Sequence, residues 1–427
     1  MPHSSNQITE IADASQAAPA ARVAIGLGKR IIFACIPLLI LGGLAEIGSR
    51  AYLRHRFAPY PYSLKVQALG SMTEAGYQIW QHPPNYTTWS LLSHFNGEGF
   101  RRDEELAPKK PAGVHRIFFM GGSAAFGTQP TGIYEKFSGQ REYGLADTIA
   151  GWMERILRAR YPRGNFQVIN AATNWSKLHQ QMIRYLAQIK DFEPDIIVSF
   201  DGQNDSSLRQ IPQFLNGWEI TEVAYHEEVL SRWEYRARPI LGLSQTVYLA
   251  AMLLSGSHNV AVDQNLIAQY AGTGRPADHD SQRDAYYAEN RAHMEQRVSE
   301  YVRTMRYFHE ILEIDRVPHL LVLQPLISMD RTKPLTRQER AIQSYGFTHD
   351  DAGFWRENFV GRVIEEGNRL HHDGRLPFYP LMDPFSGMDA QAYTDYCHLT
   401  PAGNQVIAEK IIARLESEQP EVFQLNR

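Results

Sequence analysis

The sequence predicts an α/β fold built on a parallel sheet. Three apolar segments that favour buried strands alternate with two segments in which apolar residues recur at helical spacing. The strand segments cover residues 116–120, 166–170 and 195–200, and the helical segments cover residues 145–156 and 178–189. Strand, helix, strand, helix, strand at this spacing is typical of parallel strands joined by crossover helices.

The composition indicates an ordinary folded protein and excludes some partners. Of its 427 residues, 43% are hydrophobic and 21% are charged, which allows one large domain or two modest ones. A formal net charge of −4 gives no reason to expect a nucleic acid partner. Two cysteines, Cys35 and Cys397, are too few for a disulfide framework.

The N-terminal segment predicts a tail followed by a membrane anchor. Residues 1–22 are polar and rich in alanine, serine and glutamine, so we expect a disordered tail. Residues 23–48 contain a charge-free run from 31 to 45 that follows two basic residues, and they predict a transmembrane helix. Signal-peptidase cleavage after Ala45 and a buried helix of a soluble domain are the alternatives. Basic residues nearly balance across the run, so charge alone does not fix its orientation.

The remaining chain divides into a neck, a main domain and an insertion. Residues 49–110 are rich in tyrosine and proline and predict a packed but irregular neck, and the main domain is expected at 111–420. Between about 207 and 300, turn residues, an apolar patch and a charged helical segment replace the alternation, which predicts a helical insertion. A final helix follows Thr400, which is expected to cap it, with Pro401 in its first turn.

The first strand runs into Gly121-Gly122-Ser123 and a small-residue turn closed by Gly127. A strand that ends this way places a hydroxyl at the edge of the sheet where ligands bind in open parallel α/β folds. Ser123 is therefore a candidate nucleophile. Glycine turns also build phosphate and dinucleotide sites, or simply let a strand enter a helix. This turn lacks the Lys-Ser/Thr pair of a phosphate loop and the spacing of a dinucleotide fingerprint.

Polar residues after later elements supply the other groups that acyl transfer requires. Asp395 and His398 are one turn apart in a loop before the final helix, so His398 can accept the proton of Ser123 while Asp395 orients its ring. Asn204 follows the third strand and can donate an amide N–H to the oxyanion beside the backbone N–H of Ser123. Cys397 is an alternative nucleophile, but adjacent residues rarely present both groups to one another.

In their order along the chain, these motifs resemble three sequence blocks of the SGNH (GDSL-type) hydrolases. The blocks are Gly121-Gly122-Ser123 with Gly127, Gly202-x-Asn204-Asp205, and Asp395-x-x-His398-Leu399-Thr400-x-x-Gly403. The stretches 96–101 and 323–325 further resemble bacterial members that carry an N-terminal membrane anchor. The resemblance implies a flavodoxin-like three-layer α/β/α fold, ester hydrolysis without metal or cofactor, and a catalytic domain in the periplasm or outside the cell. It also implies catalytic roles for Ser123, Asn204, Asp395 and His398.

Two positions depart from the pattern of that family. Gly122 replaces the aspartate of the first block and leaves the serine in place. Trp175 stands where the second block has the glycine that contributes to the oxyanion hole. Its backbone N–H remains available, but glycine's freedom at positive φ is expected to be lost, which predicts a two-donor or reshaped oxyanion hole.

Together the motifs predict a membrane-anchored serine esterase that acts on a small acyl ester, with O-acetyl groups on a cell-envelope glycan as a candidate substrate. An O-acyltransferase using the same serine is one alternative. A catalytically weak glycan-binding or assembly subunit, suggested by Trp175, is another. Asp205 is expected either to touch substrate or to cap a helix, and residues 371–373 (His-His-Asp) are expected to form a polar loop in preference to a metal site.

Overall fold

A five-stranded parallel sheet forms the centre of the protein, with strand order β2-β1-β3-β4-β5. The structure is a computed structural model, and it describes residues 26–58, 73–74, 80–88, 91–128, 134–139, 143–206, 243–255, 261–272, 274–349 and 352–424. The sheet strands, numbered in chain order, are β1 Val114–Gly121, β2 Asn165–Asn170, β3 Ile196–Asp201, β4 His319–Leu323 and β5 Phe378–Pro380. The predicted parallel α/β sheet is confirmed.

Helices cover both faces of this sheet. The helices of the described residues are α1 Leu27–Phe57, α2 Ser123–Phe126, α3 Glu135–Ser138, α4 Ile149–Arg160, α5 Leu178–Ala187, α6 Gln245–Ser255, α7 Gln264–Tyr270, α8 His279–Ile314, α9 Arg337–His349, α10 Ala352–His372, α11 Pro401–Glu418 and α12 Pro420–Gln424. Ile117 and Phe119 of β1 pack in one core with α4 and α11, whereas Phe118 and Met120 pack in a second core with α5, α8 and α10. Alternate residues of a strand point to opposite faces, so the fold has three layers.

The apolar character of the strands follows from this arrangement. In β1 every residue except His115 is buried, and in β3 every residue is buried. A parallel strand covered on both faces has no solvent-facing side, so it reads as a continuous apolar run without alternation. Because β1 and β3 pair in parallel, their carboxyl ends and the loops that follow them lie side by side at one edge of the sheet.

The N-terminal helix α1 is longer than the predicted anchor and continues past residue 48 to Phe57. The first part of the predicted neck is therefore helical and not irregular, and Ser49, Leu53 and Phe57 form a buried stripe at helical spacing. Helix α1 is long and apolar enough to cross a membrane, and none of its most apolar 18-residue window is buried. The alternative of a buried core helix is thereby wrong, whereas a membrane anchor and a signal sequence both fit. Residues 1–22 lie outside the described residues.

In the segment between 207 and 300, the described residues form α6, α7 and the first part of α8, with turns between them. Residues 207–242, 256–260 and 273 lie outside the described residues. The predicted charged helical segment is α8, which begins at His279 and continues past residue 300 to Ile314. Helices α9 and α10 and strand β5 have no counterpart in the sequence prediction. The expected polar loop at 371–373 is wrong in part, because His371 and His372 form the last turn of α10.

Candidate active site

The three residues predicted to act as nucleophile, base and orienting acid meet at the carboxyl edge of the sheet. Ser123 is the first residue of α2 and is separated from β1 only by Gly122, and Asp395 and His398 lie in the loop that precedes α11. Ser123 Oγ is 2.8 Å from His398 Nε2, and His398 Nδ1 is 2.7 Å from Asp395 Oδ2. When Nδ1 carries the ring proton toward Asp395, Nε2 can accept the hydroxyl proton of Ser123.

The loop from 395 to 398 is held by the carboxylate that it contributes. Asp395 Oδ1 accepts hydrogen bonds from the backbone N–H groups of Cys397 at 2.8 Å and His398 at 2.6 Å. An aspartate that binds the backbone two and three residues ahead favours a tight turn. The turn leads into α11, where Thr400 accepts the N–H of Gly403 at 3.1 Å, so the predicted cap is confirmed. Orienting acid and base are thus fixed by one turn.

Asp395 and His398 stabilise each other in their charged forms. Burial raises the pKa of Asp395, but the imidazole of His398 and the hydrogen bonds to the carboxylate outweigh burial, so this pKa lies below its ordinary value. Burial lowers the pKa of His398, but the adjacent carboxylate outweighs it and this pKa lies well above its ordinary value. An imidazolium formed when His398 accepts a proton is therefore stabilised where it forms.

Cys397 is poorly placed to act as the nucleophile. Its Sγ lies 3.7 Å from His398 Nδ1, the nitrogen that faces Asp395, and not beside Nε2. The side chain is buried, and burial raises the pKa of its thiol, which keeps the sulfur protonated. The geometry therefore favours Ser123 over Cys397.

Two glycines shape the turn that carries Ser123. Gly127 ends α2 with φ of +88°, a left-handed conformation that favours glycine, and its N–H donates to the carbonyl of Ser123 at 3.0 Å. At Gly122 a Cβ would lie 2.2 Å from Asn204 Nδ2, so a side chain there would push the Asn204 amide aside. Glycine at position 122, where the resembled family has aspartate, therefore allows Asn204 to pack closely on the turn that carries Ser123.

Three groups that could bind an oxyanion surround this turn. The N–H of Ser123 and the N–H of Trp175 have no hydrogen-bond partner within the described part of the chain. Asn204 Nδ2 donates to the carbonyl of Ser176 at 2.9 Å, which holds the amide against Gly122. An amide nitrogen carries two hydrogens, so it is able to donate to two acceptors.

Trp175 corrects one expectation. Its φ is +63°, so the tryptophan occupies the left-handed conformation that glycine would adopt, at a cost on the order of 1 kcal/mol. The expected loss of that backbone conformation is therefore wrong. The residue is 42% exposed, so the ring is not packed away in the core. Surrounding hydrogen bonds hold the loop, including Ser176 N–H to the Thr173 carbonyl at 3.0 Å.

Arg101 and Asn170, which no sequence motif assigned to the site, support the helix that begins at Ser123. Arg101 is fully buried, and its guanidinium donates to the carbonyls of Phe126 and Tyr143 and lies 4.4 Å from the centre of the Phe126 ring. Asn170 Nδ2 donates to the carbonyls of Ala125 and Phe126, both at 3.3 Å. The last carbonyls of a helix have no hydrogen-bond partner inside the helix, so the side chains of Arg101 and Asn170 provide donors for them. The only sequence signal was the 96–101 stretch, which carried no assigned role.

Arg184 ties the neck to the loop that carries Trp175. Its guanidinium donates to the Ala171 carbonyl at 2.7 Å, to Thr173 Oγ1 at 3.0 Å and to the Gly99 carbonyl at 3.1 Å. Burial lowers the pKa of Arg184 to about 10, so the group stays charged at neutral pH. The neck therefore contacts both the nucleophile helix and the loop opposite it.

The sequence left two roles open for Asp205, and its contacts favour capping. Asp205 Oδ1 accepts the N–H of Leu178, the first residue of α5, at 3.1 Å. The Asp205 carbonyl accepts Arg297 Nε at 2.7 Å, which fixes the segment that carries Asn204 against α8. A carboxylate at a helix N-terminus satisfies an otherwise unpaired donor.

We expect Arg101→Met to lower kcat by roughly 10- to 100-fold with little change in KM, because a small displacement of the nucleophile is enough for such a loss. Arg101 supports α2 and does not itself face the triad. Steady-state kinetics and a melting curve on the same sample measure the effect. Arg102→Met is the matched control, since Arg102 pairs with Glu104 at 2.9 Å. Equal losses of kcat in both variants would mean that the effect comes from disturbed packing of the neck and not from the contacts of Arg101 with α2.

Comparison with known proteins gives a matching family model and several similar solved structures. A family model described as GDSL-like Lipase/Acylhydrolase matches residues 117–411, more than half of the chain. The search of curated proteins gives no match. Similar solved structures include an acetylxylan esterase from Geobacillus stearothermophilus in a catalytic mutant form, at 12% identity, with 70% of this chain and 94% of that chain covered and a TM-score of 0.36.

Two further solved structures are similar at the same level. A lipase/acylhydrolase from Enterococcus faecalis is 13% identical, with 71% of this chain and 96% of that chain covered and a TM-score of 0.35. An α/β hydrolase from the metagenome of Lake Arreo in Spain is 13% identical, with 70% and 94% covered and a TM-score of 0.34. The family assignment depends on the family model alone.

Proposed function

Because the chain belongs to the GDSL-like lipase/acylhydrolase family and is an SGNH-type esterase, we propose that it cleaves a small acyl ester with Ser123, His398 and Asp395 as its triad. The observation that carries the proposal is the unbroken hydrogen-bond relay, 2.8 Å from Ser123 Oγ to His398 and 2.7 Å from His398 to Asp395. A nucleophile, a base and an orienting acid at these distances are the requirements for covalent acyl transfer.

In the first half of the reaction Ser123 Oγ attacks the ester carbonyl carbon while His398 Nε2 accepts the hydroxyl proton. The oxyanion that forms is bound by the N–H groups of Ser123 and Trp175 and by Asn204 Nδ2. The carbon–oxygen bond of the ester then breaks, and the departing alcohol takes the proton from His398. The acyl group remains on Ser123 as an ester.

In the second half a water molecule attacks the acyl carbon and gives a proton to His398. The second oxyanion is bound by the same donors, the bond to Ser123 Oγ breaks, and His398 returns the proton to the serine. Throughout, Asp395 keeps the ring in the required tautomer and stabilises the imidazolium. A sugar hydroxyl in place of water would turn the same steps into acyl transfer, which is the alternative within catalysis.

The proposal of a catalytically weak binding subunit loses its original basis. That alternative depended on Trp175 having removed a donor from the oxyanion hole or reshaped it. However, φ at Trp175 is +63°, and its N–H is without a hydrogen-bond partner among the described residues. The exposed indole still offers an apolar face to a substrate. We keep O-acetyl groups on a cell-envelope glycan as the candidate substrate, with the ring as one wall of its site.

Turnover of a p-nitrophenyl ester series by the detergent-solubilised full-length chain tests the proposal, with Ser123→Ala as background. Acetyl and other short acyl groups are expected to be hydrolysed. Adding an oligosaccharide acceptor separates the two catalytic readings, because a transferase would divert acyl groups to the sugar at the expense of free acid. Equal turnover by the Ser123→Ala variant would overturn the triad.

The location of the domain belongs to the same proposal. The exposed apolar side chains of α1 support a membrane anchor, which we propose is retained. The proposed orientation, with the catalytic domain on the periplasmic or extracellular side, follows from the resemblance to anchored bacterial members of the family. Protease added after the outer barrier is permeabilised is then expected to digest the C-terminal domain. Full protection would reverse the topology. A soluble form that starts near Glu46 would show cleavage.

Trp175→Gly is expected to keep turnover of p-nitrophenyl acetate close to wild type, without the roughly 100- to 1,000-fold loss that removal of an oxyanion donor causes. Glycine retains the N–H and adopts positive φ without strain. If the ring contacts a glycan, KM for acetylated oligosaccharide should rise in the same variant. Asn204→Ala is the control that removes a donor and should show the large loss. A comparable loss in Trp175→Gly would mean that the ring itself maintains the hole.

A further inference from the structure

Helix α6 packs against α1, although the two helices are about 200 residues apart in the chain. The 11 residues of α6 include no charged side chain. Leu243 before it and Val247 and Leu253 within it are 80%, 44% and 59% exposed. An apolar helix of a water-soluble domain normally buries such residues, so their exposure marks an interaction surface.

One residue of α1 holds the start of α6. Glu46 accepts hydrogen bonds from the backbone N–H groups of Gln245 and Thr246, both at 3.0 Å. It also accepts the hydroxyls of Ser244 at 2.8 Å and Thr246 at 3.1 Å. Arg50, one turn further along α1, fixes the carboxylate by an ion pair of 2.9 Å. Glu46 therefore caps α6 from another helix and satisfies donors that helix geometry leaves unpaired.

The position of Glu46 along α1 places α6 relative to a bilayer. Glu46 directly follows the charge-free run from 31 to 45, whose large apolar side chains are 45% to 74% exposed. Arg50, Arg54 and Arg56 follow Glu46 at the level expected for lipid head groups. The start of α6 is thus held at the residue where the exposed apolar run of the anchor ends, close to the level expected for the boundary between acyl chains and head groups.

We propose that α6 is a second membrane-contacting element, docked on the anchor by Glu46, with its exposed apolar side chains among the lipid acyl chains. The position of its N-terminus beside the end of the exposed apolar run of α1 selects lipid as the occupant. The helix is too short to span a bilayer of about 30 Å, so it lies in the interface beside the anchor. The proposal depends on the retained anchor in the proposed function and is independent of the triad.

Spin-label accessibility on the full-length chain in phosphatidylcholine–phosphatidylglycerol vesicles tests this placement. The label is attached to Leu253→Cys in a Cys35→Ser background, since Cys397 is buried. Oxygen partitions into acyl chains and a nickel chelate stays in water. We expect Leu253→Cys to favour oxygen over nickel several-fold. The matched control is Ile314→Cys at the end of α8, an equally apolar position that is 80% exposed and should favour nickel.

Glu46→Ala tests the docking contact itself. It is expected to shift the label at residue 253 toward nickel accessibility, whereas Arg50→Ala leaves the cap in place and should shift it less. Nickel-accessible label at 253 in vesicle-bound wild-type protein would overturn the proposal. Release of the labelled protein from vesicles on flotation would overturn it together with the retained anchor. Turnover of p-nitrophenyl acetate by the same vesicles reports separately on the triad.

Discussion

Ser123→Ala is expected to lower kcat for p-nitrophenyl acetate on the order of 10⁶-fold, leaving only what oxyanion donors and binding supply. The hydroxyl is the atom that forms the acyl bond, and it is the group that His398 Nε2 contacts at 2.8 Å. The same reasoning predicts that a fluorophosphonate probe labels Ser123 in the wild-type protein. Peptide mass spectrometry locates the adduct.

The chain offers a matched control in a second buried serine–histidine pair. Ser199 Oγ lies 3.0 Å from His319 Nε2 inside the sheet. Burial lowers the pKa of His319 well below its ordinary value, and Ser199 is completely buried in β3. Without access to substrate, this pair should take no label, and Ser199→Ala should retain turnover. An adduct on Ser199 or Cys397 would contradict the assignment of Ser123.

The triad could be predicted from sequence because each member sits in a short local motif at the end of an element. The glycine turn fixes Ser123 after β1, and the Asp-x-x-His turn fixes its own geometry through two backbone hydrogen bonds to Asp395. Parallel strands then bring these ends to one edge without further information. Local chemistry and topology suffice for this part of the site.

The supporting residues could not be predicted in the same way, because their roles depend on contacts between distant segments. Arg101 donates to the carbonyls of Phe126 and Tyr143, and Arg184 donates to the carbonyl of Gly99. These segments are far apart in the chain, and no local sequence pattern indicates that they are in contact. A lone arginine in a sequence reads as a surface residue. Strand β5 was missed for a related reason, since three residues that end in proline show no periodicity and pair only because β4 is beside them.

Trp175 shows the limit of reasoning from residue type alone. A tryptophan where a family has glycine predicts a changed backbone, because side chains disfavour positive φ. The surrounding loop nevertheless holds φ at +63°, with Ser176 bound to Thr173 and to Asn204 on either side. The local preference is worth on the order of 1 kcal/mol, and three-dimensional contacts of this kind are enough to override it.

Asp395→Asn is expected to lower the maximal rate on the order of 10⁴-fold and to move the acid limb of the pH profile to lower pH. The base must be neutral to accept a proton, so wild-type kcat/KM falls as the pH drops through the pKa of His398. Asp395 holds that pKa well above its ordinary value. Without the carboxylate, the largest influence that raises the pKa of His398 is lost while burial still lowers it, so this pKa falls and neutral imidazole persists to lower pH.

The rate falls even though more of the base is neutral, because an amide at position 395 no longer selects the tautomer or stabilises the imidazolium. The profiles of kcat/KM for wild type and variant measure both effects. Asp315→Asn is the control: Asp315 accepts the Tyr185 hydroxyl at 2.7 Å just before β4, at the opposite edge of the sheet, and its variant should keep the wild-type limb. Asp395→Asn removes the negative charge beside the His398 imidazole, so it must change the pKa of that ring. An acid limb that stays fixed in this variant would mean that a group other than His398 controls the reaction.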